Sequence, residues 1–108
     1  MTKFFFYNKL TNIDVIKKIS NNFDINDGYI IIKNYDIENN LLEISNESKN
    51  NNQILYGKIV NFYMKLEDIL KKINELEECK LENRTKYTLE KIFANKSGGG
   101  IHSTYIIY

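Results

Sequence analysis

The stretch Ile54-Leu55-Tyr56-Gly57-Lys58-Ile59-Val60-Asn61-Phe62-Tyr63, followed after Met64 by Lys65-Leu66-Glu67-Asp68-Ile69-Leu70-Lys71-Lys72-Ile73-Asn74-Glu75-Leu76-Glu77-Glu78, changes its hydrophobic period partway along. In the first segment Ile54, Tyr56, Lys58, Val60 and Phe62 alternate against Leu55, Gly57, Ile59 and Asn61, the two-residue period of a strand. In the second, Leu66, Ile69, Leu70, Ile73 and Leu76 recur at the i, i+3, i+4, i+7 spacing of a helix with one apolar face. A strand followed this closely by an amphipathic helix places the chain in a mixed α and β class. Gly57, in the middle of the strand, predicts a bulge or the close approach of another backbone or a ligand.

The same reading extends in both directions. Upstream, Lys3–Tyr7 is a compact aromatic run that predicts a buried strand, because Phe and Tyr suit a pleated surface. Thr11 or Asn12 then supplies a helix N-cap, with Ile13, Ile16 and Ile19 on one face and Lys17 and Lys18 outside it. Asn21–Asp27 reads as a turn-rich connection, Gly28–Tyr35 as a β-branched strand and Leu41–Ile44 as a short third strand. Ser45–Gln53 is polar and low in complexity, the signature of a mobile loop. Downstream, Tyr87–Phe93 alternates as a strand, Ser97-Gly98-Gly99-Gly100 is a turn, and Ile101–Tyr108 is a closing strand. The order β-α-β-β-β-α-β-β predicts a single α+β domain: two helices on a small mixed sheet, strongly curved or barrel-like.

With 108 residues, 43% hydrophobic and 27% charged, the chain has the composition of an ordinary globular domain large enough to bury its own core. Fifteen basic residues against fourteen acidic ones leave a formal charge of +1, which supplies no electrostatic attraction to nucleic acid or to an anionic membrane. One cysteine, Cys79, and one histidine, His102, cannot build an internal disulfide or by themselves a zinc site. No apolar run approaches the ~20 residues of a membrane helix, and the expected location is cytoplasmic. The glycines at Ser97–Gly100 lack the Lys-Ser/Thr ending of a phosphate loop.

One residue interrupts the apolar pattern of the second helix. With Leu66 at zero and 100° per residue, Ile69 and Ile73 fall at about −60° and −20°, Leu70 at about +40° and Glu77 at about +20°. Glu75 and Glu78 fall at about 180° and 120°, toward water. A helix that runs through Glu77 therefore aims this carboxylate into the middle of the buried stripe. Burial there disfavours the charged form and raises the pKa toward the range of a general acid or base. A helix that ends earlier leaves Glu77 exposed at a C-terminal turn.

Three segments in order resemble the gamma-glutamylcyclotransferase-like family. That family opens with a strand ending in a Tyr-Gly-Ser-(Asn)-Leu loop, and Phe5-Phe6-Tyr7-Asn8-Lys9-Leu10 is similar, matching at Tyr7 and Leu10. Its central strand carries a Val-x-Gly-x-Val/Leu-Tyr pattern, which Leu55-Tyr56-Gly57-Lys58-Ile59-Val60 resembles. Its second helix ends in Leu-Asp-x-x-Glu-Gly before a further strand, as Ile73-Asn74-Glu75-Leu76-Glu77-Glu78 and Arg84–Ile92 do in outline. The chain also ends on a comparable aromatic strand, Thr104-Tyr105-Ile106-Ile107-Tyr108. The family's catalytic glutamate lands on Glu77, the residue the helical arithmetic singles out.

The resemblance implies a small β-barrel enzyme that releases 5-oxoproline from gamma-glutamyl amino acids or amines. In such an enzyme the substrate's α-amine attacks its own γ-carbonyl. Glu77 would be the general acid/base. Tyr7, Asn8, Lys9 and Leu10 would form the loop that holds the substrate carboxylate through backbone amides, and Gly57 would allow close backbone approach. No metal and no organic cofactor is implied, and the partner is a small molecule. Asn8 and Lys9 stand where the family has Gly and Ser, Glu78 stands for the glycine after the glutamate and Asn74 for the preceding aspartate. Those departures keep open a second reading, a catalytically inactive relative that binds a small molecule or a protein, and a third, an unrelated α+β interaction domain.

Overall fold

A computed structural model describes residues 1–32, 35–38, 41–44, 53–76 and 89–107. Strand β1 (Thr2–Phe6) leads through a 3-10 turn (Asn8–Thr11) into helix α1 (Ile13–Ile19). Strands β2 (Phe23–Ile32), β3 (Tyr35–Glu38), β4 (Leu41–Ile44) and β5 (Gln53–Phe62) follow, then helix α2 (Leu66–Glu75) and strands β6 (Leu89–Lys96) and β7 (Ile101–Ile107). Five strands hydrogen-bond in a closed ring, β1-β5-β2-β6-β7, while β3 and β4 pair apart from it. Four contacts of the ring are antiparallel. The fifth is parallel and joins β1 to β7 through Phe4 and Tyr105, which closes the ring. The expected small α+β architecture with two helices is therefore present, with one strand more than the sequence pattern predicts.

Alternation along β1 explains how so short a strand can sit at the centre of this structure. Phe4 and Phe6 point to one face and pack with Val60 and Phe62 of β5 against Val15, Ile16 and Ile19 of α1 and Ile69 and Ile73 of α2. Phe5 and Tyr7 point the other way, into the ring, where they meet Ile30, Ile32, Ile59, Ala94 and Ile106. Removing a Phe or Ile from either cluster leaves a cavity that costs about 2–5 kcal/mol. The Phe4, Phe6 and Phe62 rings lie 5.4–6.2 Å apart and meet tilted or edge-on, so the helix-facing cluster also gains aromatic contacts.

The helices follow from local rules. The Asn12 side chain accepts from the Asp14 N–H at 2.9 Å and caps α1, so of the two expected caps it is Asn12 that serves. Ile16 and Ile19 are buried as their spacing predicts, with Val15 beside them, but Ile13 in the first turn is exposed. Lys17 and Lys18 in the last turn of α1, and Glu67 and Asp68 in the first turn of α2, both complement the helix dipole. Along α2 the predicted stripe is seen: Ile69 and Ile73 are buried, and Leu66 and Leu70 pack at the edge of the same cluster.

Several boundaries differ from the expectation. Asn21–Asp27 is not a turn throughout: β2 begins at Phe23, which pairs with Phe62, while Ile25 pairs with Val60. Both side chains pack on the helix-facing core, and the intervening Asp24 and Asn26, poor strand formers, face outward. Tertiary pairing overrides their low propensity. Leu41–Ile44 is a strand as predicted, but it pairs with Tyr35–Glu38 in a hairpin separate from the ring, so Tyr35 does not continue β2. Helix α2 stops at Glu75, three residues short of the expected end, and Leu76 is already extended at φ −74°, ψ 131°. The predicted mobile segment Ser45–Gln53 lies outside the described residues, apart from Gln53, which opens β5. Strand β6 runs to Lys96, beyond the expected Phe93; Tyr87 and Thr88 lie outside the described residues.

No bulge occurs at Gly57. The β2–β5 register runs unbroken and sets Gly28 opposite Gly57. The second half of the expectation is met instead, because a Cβ on Gly57 would stand 2.2 Å from the Phe6 carbonyl oxygen and 2.7 Å from the tip of the Phe5 ring. A Cβ on Gly28 would stand 2.8 Å from both the Asn95 carbonyl oxygen and an Ile59 methyl carbon. The glycine pair makes a notch that Phe5 and Ile59 fill. Gly57→Ala is expected to lower unfolding stability by about 1–3 kcal/mol or more, since backbone and a locked ring must both move. Urea denaturation measures the loss, and Ser103→Ala, at an exposed position, is the control expected to stay within about 0.5 kcal/mol.

Candidate functional site

β1 ends at Phe6, whose carbonyl lies against Gly57 of the neighbouring β5, and the chain turns sharply just beyond it. Tyr7 is extended, at φ −129° and ψ 171°, and Asn8 is left-handed at φ 62°. Asn enters that region more readily than other non-glycine residues because its short amide bonds locally. Here the Asn8 Oδ1 accepts from the Leu10 N–H at 3.2 Å, and the Asn8 carbonyl accepts from the Thr11 hydroxyl at 2.7 Å. Asn8 thus takes up a left-handed conformation of the kind most readily adopted by glycine.

The candidate residues divide clearly by location. Tyr7 is buried, and its hydroxyl donates to the Ile107 carbonyl at 2.7 Å, tying the end of β1 to the end of β7. Lys9 is exposed, and Leu10 packs against the helix-facing core. Gly57 lies against the Phe6 carbonyl, one residue before Tyr7, so the structure brings Gly57 and the Tyr7–Leu10 turn to one end of the ring. Glu77 lies outside the described residues. Since α2 ends at Glu75, the helical projection that aimed Glu77 inward does not extend to it.

An open groove of about 390 Å³ adjoins this turn, lined by Thr11, Ile13, Ile25, Asn26, Asp27 and Lys58. Lys58 and Asp27 are cross-strand partners and form an ion pair over its floor. The interior of the ring beside Tyr7 is filled by Phe5, Ile30, Ile59 and Ile106. Among the described residues no cluster of three or more His, Cys, Asp or Glu could hold a metal ion. Among the described residues no helix is long and apolar enough to cross a membrane. In comparisons with known proteins, no family model, no curated protein and no solved structure matches this chain.

The other end of the ring carries a polar group that sequence spacing did not bring out. The Lys3 Nζ lies 3.0 Å from the His102 Nδ1, across the seam between β1 and β7. An ammonium can only donate, so this nitrogen of His102 accepts and the imidazole is neutral. Burial lowers the His102 pKa first, and the charges of Lys3 and Lys96 lower it further. Nearby on the ring rim, Asp24 accepts from the Tyr63 hydroxyl at 2.5 Å; that hydrogen bond, with the Asp24 charge, raises the tyrosine pKa above its usual 10.0. Lys3 and His102 are separated by 99 residues, and only the closing of the ring joins them.

The depressed His102 pKa fixes a sign. Below the unfolded value of about 6.5 the unfolded chain binds a proton that the folded chain resists, so stability falls as pH drops through 6.5 toward the folded pKa. His102→Gln removes this component. The difference in unfolding free energy between the two proteins is expected to depend on pH below about 6.5 and to be flat above about 7.5, as read by urea titrations at a series of pH values.

Proposed function

We propose that this chain is a gamma-glutamylcyclotransferase-like enzyme that releases 5-oxoproline from gamma-glutamyl amino acids or amines. The observation that carries the reading is the Tyr7–Leu10 turn: it leaves a ring strand through a left-handed Asn8 and lies beside a glycine that admits the Phe6 carbonyl. A left-handed residue directly after the tyrosine suits a Tyr-Gly-Ser-type loop, because glycine enters that region readily and Asn8 enters it here. The finer fold assignment, the family's small barrel, belongs to the same proposal and is supported by the closed five-strand ring.

In this reading the turn holds the substrate's α-carboxylate through backbone N–H groups. The α-amine attacks the γ-carbonyl carbon, a tetrahedral intermediate forms, and the C–N bond to the leaving amine breaks. Glu77 takes the proton from the attacking amine and returns one to the leaving nitrogen, so charge is balanced at each step. The groove with Lys58 and Asp27 gives the leaving group room next to the turn. The reaction needs no cofactor.

A second reading, an inactive relative that binds a small molecule or a protein, draws on two observations. Lys9 replaces a serine in the turn, and large apolar side chains occupy the ring interior beside Tyr7. The two readings separate on 5-oxoproline release across a panel of gamma-glutamyl amino acids and amines. The enzyme is expected to release it, and Glu77→Gln to lower kcat/KM by about 10²–10⁴, the usual contribution of a general acid/base. No release from the wild type, nor from an Asn8→Gly/Lys9→Ser variant carrying the family's loop residues, assigns the chain to binding instead.

A further inference from the structure

The outer face of the ring changes character along its own strands. On β5 the outward side chains are Phe62, Val60, Lys58, Tyr56 and Ile54. Val60 and Phe62 are buried in the core that α1 and α2 cover, whereas Tyr56 and Ile54 are exposed. β2 repeats the pattern, since Phe23 and Ile25 pack on the helix-facing core while Ile31 stands open. Register carries the bare region across four strands: Tyr56 lies opposite Tyr29, Tyr29 opposite Asn95, and Asn95 opposite Ile101. A second row beside it sets Ile54 opposite Ile31, and Phe93 opposite Ser103. The Tyr29 and Tyr56 rings lie 6.1 Å apart, so aromatic contact already joins two of the strands on this face.

Tyr56 is 73% exposed, Phe93 74% and Ile101 69%, and Ile31 and Ile54 are each more than half exposed. Side chains of this size together present about 600 Å² to water, the upper end of what a typical monomer leaves bare in one apolar patch. With Tyr29, Asn95 and Ser103 the face reaches about 700 Å², close to the ~800 Å² that each partner gives to a standard stable interface. The sequence agrees with a covered face. Tyr29-Ile30-Ile31-Ile32 is apolar on both sides, the composition of a strand buried on both, and Ile30 and Ile32 already fill the ring interior. The two helices of the chain pack over the other half of the outer face.

We propose that this face, centred on Tyr29, Ile31, Ile54, Tyr56, Phe93 and Ile101, docks a second copy of the chain in a two-fold dimer. The area fits what each half of such a dimer needs. No side chain in the two rows is charged, so the same face turned on itself brings no like charges together and buries no unpaired ion. An overall charge of +1 adds little repulsion between copies, and it gives no attraction to an anionic lipid surface. Tyr56 and Phe93 supply the aromatic anchors on which such contacts depend, and Asn95 and Ser103 supply hydrogen-bonding groups among them. The dimer is independent of the cyclotransferase reading, because none of these side chains belongs to the Tyr7–Leu10 turn or lines the groove beside it.

The test is sedimentation equilibrium of the whole chain over a range of concentrations. A species of twice 12.8 kDa is expected, dissociating reversibly in the micromolar range. Phe93→Lys on β6 and Tyr56→Lys on β5 are at exposed positions, and circular dichroism checks that each variant is folded. Each is expected to weaken dimerisation by about tenfold or more. Ile13→Lys, exposed on α1 and away from the face, is expected to leave it unchanged. One readout needs no variant: amide resonances of the four strands around the face are expected to shift with concentration, and those of α1 and α2 to stay. A wild-type chain still monomeric at about 0.5 mM, far above a micromolar dissociation constant, overturns the proposal. If that monomer binds phosphatidylcholine vesicles, the face belongs to a lipid surface instead. A dimer of undiminished affinity in both variants overturns the proposal too, as does one that Ile13→Lys weakens equally or one whose resonance shifts centre on the helices.

Discussion

The contact on which the rest of this structure turns is the approach of the Phe6 carbonyl to Gly57, where a Cβ would stand only 2.2 Å from the oxygen. β1 is five residues long, yet it pairs with β5 on one side and β7 on the other, and it supplies aromatic side chains to both cores. Its end lies close against Gly57 of β5, with the Phe5 ring inside the ring of strands and the Tyr7 hydroxyl on the Ile107 carbonyl. A side chain at position 57 would hold the two backbones apart. The opposite glycine, Gly28, provides the matching space for Ile59, so the notch is a property of the strand pair and not of one residue.

Closing the ring in this way divides the polar chemistry between its two ends. At one end the chain leaves β1 through the left-handed Asn8, and backbone groups dominate the surroundings together with the Lys58–Asp27 pair. At the other, Lys3 and Lys96 place positive charge around the neutral imidazole of His102, and Asn61 keeps a buried oxygen without a partner. The apolar filling of Phe5, Ile30, Ile59 and Ile106 lies between them. Such a filling separates the two ends electrostatically only in part, because charges a few residues apart along a strand still act on one another through a medium of low dielectric.

Legibility in the sequence followed the strength of periodicity. The α2 stripe and the alternation of β5 were clear, because long runs of apolar residues at a regular spacing leave few alternatives. The start of β2 was not, since Asp24, Asn26 and Asp27 have the composition of a turn and only Phe23 and Ile25, paired with Phe62 and Val60, keep the strand pattern. The end of α2 was also missed: Leu76 continues the apolar stripe, and its buried side chain satisfies the same core from an extended backbone. At the candidate turn, Tyr7 and Leu10 could be matched by residue type, and the left-handed Asn8 could be anticipated from its chemistry. The Lys3–His102 pair could not be, because no local spacing links residues 99 positions apart.

What the sequence by itself determined is most of the elements, β1, α1, β5, α2 and β7 among them, and the face that the long periodic ones bury, since side-chain direction follows from helical and strand periods that such segments carry alone. It also marked Gly57 as a special position, a bulge or the close approach of another backbone or a ligand, because a glycine in a strong strand leaves room that packing must fill. Only the tertiary structure decided that this backbone belongs to Phe6, that β3 and β4 pair outside the ring, and that Lys3, Asn61 and His102 gather at one rim. Those outcomes depend on which strand edges meet. A parallel closure between the first and last strands is a long-range pairing, and its geometry is set by the register of the whole ring and not by any segment within it.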